Sequence, residues 1–244
     1  MKKRILLLFL LISSIEHYAG GEPNLFSPSP FEFHRFHLGF SISPDYSFRE
    51  LQTDLTTLET ERKEKFDIPK LGFTGGITLL FQPIKRVSFE TGLFYANKGE
   101  KSEKIDTTYL NNNAGNTPND FTITENYKYI DIPIKMNIYI LTGNFQLFVS
   151  GSITTNILTA HETVQELFYY NSTQTTTTKN NDKFAALGLS SQIGVGIDLG
   201  LTDLIYFRAE PTYRQSLTSI TNSTASYDQF LKSTGIYFGL FIKL

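Results

Sequence analysis

Eleven consecutive residues in the middle of the chain, 129–139, alternate without a slip. Ile130, Ile132, Ile134, Met136 and Ile138 fall on one side, and Tyr129, Asp131, Pro133, Lys135, Asn137 and Tyr139 on the other. Successive side chains of a strand point to opposite faces, so this stretch is a β-strand between two unlike environments. Seven other stretches repeat the pattern, over 36–48, 71–82, 87–96, 145–158, 184–199, 205–217 and 236–244. In each, Ile, Leu, Val or Phe alternates with Gly, Ser, Thr, Asn or a charged residue. The connections are long, short, long, short, long, short, long. An even-numbered meander with tight turns at one end and long polar loops at the other is the pattern of an outer-membrane barrel.

Alternation alone does not say which face is outside, because a lipocalin-like secreted barrel with an apolar interior has the same period. Volume separates the two. Eight strands with roughly four or five bulky apolar residues each carry several tens of such side chains, and an eight-stranded barrel encloses only a narrow space. The apolar face therefore points out, and lipid is the environment that accepts so large an apolar surface. Charge agrees. Glu90, Asp131, Lys135, Arg208, Glu210 and Arg214 all fall on the small-residue face by parity. A basic side chain near mid-bilayer on the lipid face costs about 2 to 4 kcal/mol, so one register that puts all six inside avoids on the order of 10 kcal/mol. Inside, three acids can pair with three bases as a lumen charge network, with Phe94, Tyr139, Phe148, Tyr206 and Tyr237 helping to plug the space. Pro133 and Pro211 each remove a ladder hydrogen bond, which predicts a bulge or a strand end at each.

The start of the chain reads as an export address. Met1, Lys2, Lys3 and Arg4 precede an apolar run at 5–12 that is too short to span a bilayer as a helix, and small residues follow at 19–21. The expected organisation is a signal peptide over residues 1–21, a linker over 22–35 and a barrel domain over 36–244. With no Cys there is no disulfide, no thiolate nucleophile and no thiolate metal site. A net charge of -2 gives no basic field for nucleic acid.

The stretch Tyr129-Ile130-Asp131-Ile132-Pro133-Ile134-Lys135 resembles a tyrosine–apolar–acidic–Ile–Pro–Leu stretch of the PorT-like outer-membrane β-barrel proteins of Bacteroidetes-type bacteria. Residues 145–156, the Gly-rich run 192–197, Arg208 with Tyr213 and the Gly-containing last strand resemble later strands of that family in order. The resemblance implies an all-β fold, an eight-stranded antiparallel up-and-down transmembrane barrel in the outer membrane. It transfers no enzymatic activity. The chain ends on Leu244 where barrels of this kind often end on an aromatic residue.

Candidate chemistry is sparse. His17, His34, His37 and His161 have no ligand spacing on one element, and neither a metal nor a cofactor is expected. His161, next to Glu162, is the one residue that a Ser–His–acid hydrolase could use, and a solvated loop histidine is the stronger reading. The expected role is non-enzymatic: structural, or binding through long loops that carry Tyr109, Tyr169, Tyr170 and Tyr227. Expected partners are outer-membrane lipid, the barrel-assembly machinery during biogenesis, and an envelope or extracellular protein held by the loops. The alternatives are a secreted barrel binding a small apolar ligand and an outer-membrane lipid hydrolase.

Overall fold

The computed structural model describes residues 35–52, 65–106, 118–222 and 228–244. The proposed signal peptide and nearly all of the linker, with His17, His34, Tyr109 and Tyr227, lie outside the described residues. Ten strands follow in order: β1 (Phe36–Gln52), β2 (Asp67–Ile84), β3 (Val87–Ser102), β4 (Ile105–Asp106), β5 (Asp120–Leu141), β6 (Phe145–Phe168), β7 (Thr173–Lys179), β8 (Leu187–Gly200), β9 (Ile205–Ser216) and β10 (Asp228–Lys243). Eight of them close an antiparallel ring, β1-β2-β3-β5-β6-β8-β9-β10, with β1 paired back to β10. Closure leaves no edge in the ring, so each of its strands pairs with a neighbour on both sides, as a span through lipid requires. The two additional strands are short: β4 pairs with β5, and β7 with β6.

The faces sort by chemistry. Ile134 is 73 % exposed and Phe40 62 %, whereas Arg208 and Glu210 are 0 % exposed. Outward apolar residues run through β1 from Phe36 to Tyr46, through β3 from Phe89 to Tyr95 and through β5 from Ile132 to Ile140. This band is the lipid-facing surface. Beyond it, toward the long-loop end, the strands continue with a polar exterior that carries the ion pairs Lys128–Glu162 at 2.7 Å and Lys232–Glu50. β5 has 22 residues and β6 has 24. A tilted strand needs only about 9 to 11 residues to cross the bilayer, so both stand well clear of it.

The strands reach further than expected. The stretches 49–52, 67–70, 97–102, 105–106, 120–126, 159–168 and 228–235, read from sequence as loop, are strand, and so is the Thr-rich run of β7. Pro133 and Pro211 cause neither a bulge nor a strand end. Pairing lapses on one side of each and resumes in the same register: Thr91↔Ile134 is followed by Phe94↔Asp131, and Gly194↔Thr212 by Ile197↔Ala209. Each proline keeps its other neighbour, Thr154 for Pro133 and Ile236 for Pro211. Pro44 repeats the arrangement, paired to Phe73 while the β1–β10 ladder lapses beside it. A strand in a closed ring has two ladders, so losing one donor on one side does not release it. The register shifts lie elsewhere. One is between β5 and β6, where Lys128↔Ala160 gives way to Tyr129↔Leu158 and Thr159 is the extra residue. Its hydroxyl donates to the Lys128 carbonyl at 2.9 Å.

Candidate functional site: the charged lumen and its mouth

Inward side chains form three layers of paired charges, with the Leu80, Tyr206 and Phe241 cluster and the His37–Tyr206 contact beyond them toward the tight turns. In the layer nearest the tight turns, β9 delivers Arg208 and Glu210, β3 Glu90, β5 Lys135, and β8 Asp198. Arg208 donates from Nε to Asp198 Oδ1 at 2.7 Å and from Nη2 to Oδ2 at 2.8 Å, a two-pronged pairing that fixes the guanidinium plane. Its Nη1 donates to Glu90 Oε2 at 2.7 Å, and its Nη2 to the Tyr139 hydroxyl at 3.2 Å. The guanidinium carbon stands 4.4 Å from the Phe148 ring centroid and 4.8 Å from that of Phe241, in cation–π range of both. Lys135 donates to Glu210 Oε2 at 2.5 Å and lies 3.5 Å from Glu90. Asn137 and Ser150 complete the layer, donating to Glu90 at 2.8 Å and to Glu210 at 2.5 Å.

The middle layer holds Asp131 and Arg214, in separate contacts. Lys98 donates to Asp131 Oδ2 at 2.7 Å, and Asn156 to its Oδ1 at 2.6 Å. Arg214 donates to Gln192 Oε1 at 3.1 and 2.8 Å and to Thr74 at 3.3 Å, with the Asp45 carboxylate 3.9 Å away. Of the six acidic and basic residues that parity assigns to the lumen, Glu90, Lys135, Arg208 and Glu210 meet one another. Asp131 and Arg214 meet other partners. Phe94, Tyr139, Phe148, Tyr206 and Tyr237 are all buried.

The third layer lies beyond the apolar band. Arg49 donates from Nε to Asp67 at 2.6 Å and pairs through Nη1 with Glu100 at 3.0 Å. Tyr127 donates to Glu100 Oε1 at 3.1 Å, and Gln229 donates to the Tyr127 hydroxyl at 3.1 Å. His161 has Nε2 on Glu125 Oε2 at 2.8 Å and Nδ1 on the Asn180 carbonyl at 2.8 Å, and its ring stacks on Tyr127 at 5.0 Å. Burial pushes the Glu100 carboxyl up to about 7, against the pull of Arg49 and with the help of Glu125 and Asp67. Burial alone would lower the His161 imidazole, but its bonds to Glu125 and to the Asn180 carbonyl carry it above the ordinary histidine range. His161 is therefore not a solvated loop residue. Both of its ring nitrogens are engaged, which leaves none to activate a serine.

Residues 22–222 match the family model of the outer membrane protein beta-barrel domain. The chain belongs to that family. Its location is the outer membrane. No curated protein matches it in sequence. Among solved structures it is similar to neisserial surface protein A, at 10 % identity over 86 % of this chain and 97 % of that one, with a TM-score of 0.47. It is similar to Ail, the attachment invasion locus protein of Yersinia pestis, at 8 % identity over 86 % and 99 %, with a TM-score of 0.35. A third is the outer membrane protease OmpT of Escherichia coli, at 10 % identity over 91 % and 99 %, with a TM-score of 0.42.

Sequence reading of this outer-membrane barrel domain misses Asp45, Lys98 and Asp198 as lumen charges, and misses the whole mouth layer. Asp45 and Asp198 sit on the inward parity of strands that the sequence does show. Lys98, Glu100 and Glu125 lie in a stretch read as loop, and Tyr127 lies just ahead of the strand recognised from Tyr129. His161 is harder still to read, because the extra residue Thr159 reverses the parity of the rest of β6.

Proposed function

We propose that this barrel is a non-enzymatic platform, closed along its axis, that binds an envelope or extracellular partner with the sheet it raises above the membrane. The observation that carries this reading is that sheet: the far ends of β5 and β6, extended by β7, whose seven residues are all exposed and include five threonines. Closure is supported by the Arg208 guanidinium, wholly buried, stacked between the Phe148 and Phe241 rings and bonded to the Asp198 and Glu90 carboxylates. The likeness of Tyr129–Lys135 to the PorT-like proteins fits this platform role and adds no chemistry to it.

The chain contains no Cys, so a single introduced thiol is unique. With Thr176→Cys carrying a photo-crosslinker on intact cells, a defined adduct is expected that is absent when the probe sits at Thr202, in a turn at the opposite end. Purified protein in planar bilayers is expected to give no stepwise conductance. Equal crosslinking at both positions would remove the platform reading, and steady ion conductance would remove the closed axis.

A further inference from the structure

A small cavity, about 20 Å³, lies in the lumen between the middle layer and the mouth. One wall is contributed by four adjacent strands, and the register places its residues side by side: Ser47 opposite Ser233, Ser233 opposite Arg214, and Ser190 opposite Ser216. Lys98 and Asn156 close it from the other side. We propose that this cavity is a binding site for one small inorganic anion of halide size.

Four observations point the same way. The lining is made of hydroxyls, the Asn156 carboxamide, cations and apolar groups, and contains no carboxylate. Ser47 is 0 % and Ser190 3 % exposed, and the hydroxyl of each has no hydrogen-bond partner among the described residues. A buried hydroxyl left unpaired is costly, so two on one cavity call for an occupant. Among the described residues Arg214 hydrogen-bonds only to the neutral acceptors Gln192 and Thr74. Its nearest acid, Asp45, is 3.9 Å away and already accepts from Ser43 and Thr74 at 2.7 Å each. Lys98 gives one bond, to Asp131, of the three it can donate. The Ser47 and Ser190 hydroxyls and the two unused Lys98 hydrogens are donors seeking an acceptor, a cation would meet like charges on Lys98 and Arg214, and an anion accepts from all of these donors. The neighbouring lumen cavity supplies the contrast. It is lined by the Glu90 and Asp131 carboxylates as well as by Lys135 and Arg214, so an anion there would meet like charge. The available volume sets the size, because about 10 to 15 Å³ of such space holds a single water-sized body.

The test uses the full chain folded in detergent micelles, with sodium bromide titrated against sodium gluconate at constant ionic strength. Unfolding is followed by the gel-mobility difference between folded and heated barrel. The expected result is a saturable rise of the unfolding midpoint in bromide. That rise should be lost in Ser190→Ala and in Arg214→Gln, and a bromide anomalous peak should stand between Ser47, Ser190 and Arg214 in crystals. Should Arg214→Gln fail to fold, Ser190→Ala removes one hydroxyl only and decides alone. Equal midpoints in the two salts, a bromide effect unchanged in Ser190→Ala, or a cavity holding water without anomalous signal would each overturn the site.

Discussion

At the residue scale, Arg208 is the side chain on which the layer nearest the tight turns depends. It is wholly buried and its donors are shared between Asp198, Glu90 and Tyr139. Replacing it with alanine would leave two buried carboxylates facing each other. Breaking a buried pair from one side costs about 3 to 5 kcal/mol, because the abandoned charge remains in place. Arg208→Ala is therefore expected to lower the urea midpoint of the folded barrel sharply. Arg208→Ala combined with Asp198→Asn should recover part of the loss, and no recovery would mean that the aromatic stacking, not the charge pairing, dominates. Gly196 is a second sensitive point for a steric reason. A Cβ added there would lie 2.2 Å from Phe148 Cζ. Gly196→Ala should cost about 1 to 3 kcal/mol by overpacking. The penalty should shrink in a Phe148→Leu background, and an equal penalty there would show that the backbone, not the ring, resists the methyl group.

At the element scale, the lipid-crossing halves of the strands are legible in the sequence and their upper halves are not. Inside the bilayer one face meets lipid and the other a polar lumen, so residues 130–138 alternate sharply. Above the bilayer both faces are polar or mixed. Glu162, Thr163, Gln165 and Glu166 of β6 carry no contrast from one position to the next, although they pair regularly with β5. The bulge at Thr159 then reverses parity, turning His161 inward and Glu162 out to Lys128. In-strand prolines mislead in the opposite sense, since the penalty for a missing donor is real but falls on one of two ladders.

The mouth formed by these upper halves should respond to pH. Glu100 faces Arg49 from β1, Asp67 from β2, and Glu125 and Tyr127 from β5; His161 faces Glu125 and Tyr127. A carboxyl whose folded value lies near 7 holds its proton more tightly in the native state than in the unfolded one. Its contribution therefore weakens as pH rises from the ordinary carboxylate range through 7. A histidine raised above its usual value contributes stability that is present in acid and is lost as pH climbs through the raised value. The two effects have the same sign. Amides of 97–102 and 159–164 should exchange faster at pH 8.5 than at pH 6, after correction for intrinsic rates, while those of 206–210 should not change. Glu100→Gln should flatten most of the difference, and an unaltered pH response in that variant would assign it to other groups.

At the scale of the whole molecule, one sidedness governs everything else: the chain is turned inside out relative to a water-soluble barrel, with its charges on the axis and its aliphatic residues on the circumference. That sidedness has a depth as well as a direction, so the same substitution on the same strand face should have two different consequences. Ile134 and Asn126 both lie on the outward side of β5, the first in the middle of the apolar band and the second beyond its upper limit among charged neighbours. Arginine at mid-bilayer on the lipid face costs about 2 to 4 kcal/mol and close to nothing outside the interface. Ile134→Arg should therefore strongly reduce the folded, heat-modifiable form in outer-membrane fractions. Asn126→Arg should assemble at wild-type level, because its new side chain is solvated. Good assembly of both would mean that the circumference does not face lipid. Poor assembly of both would mean that the upper halves of β5 and β6 are buried against something in the membrane, and that the sheet they raise is not free to meet a partner.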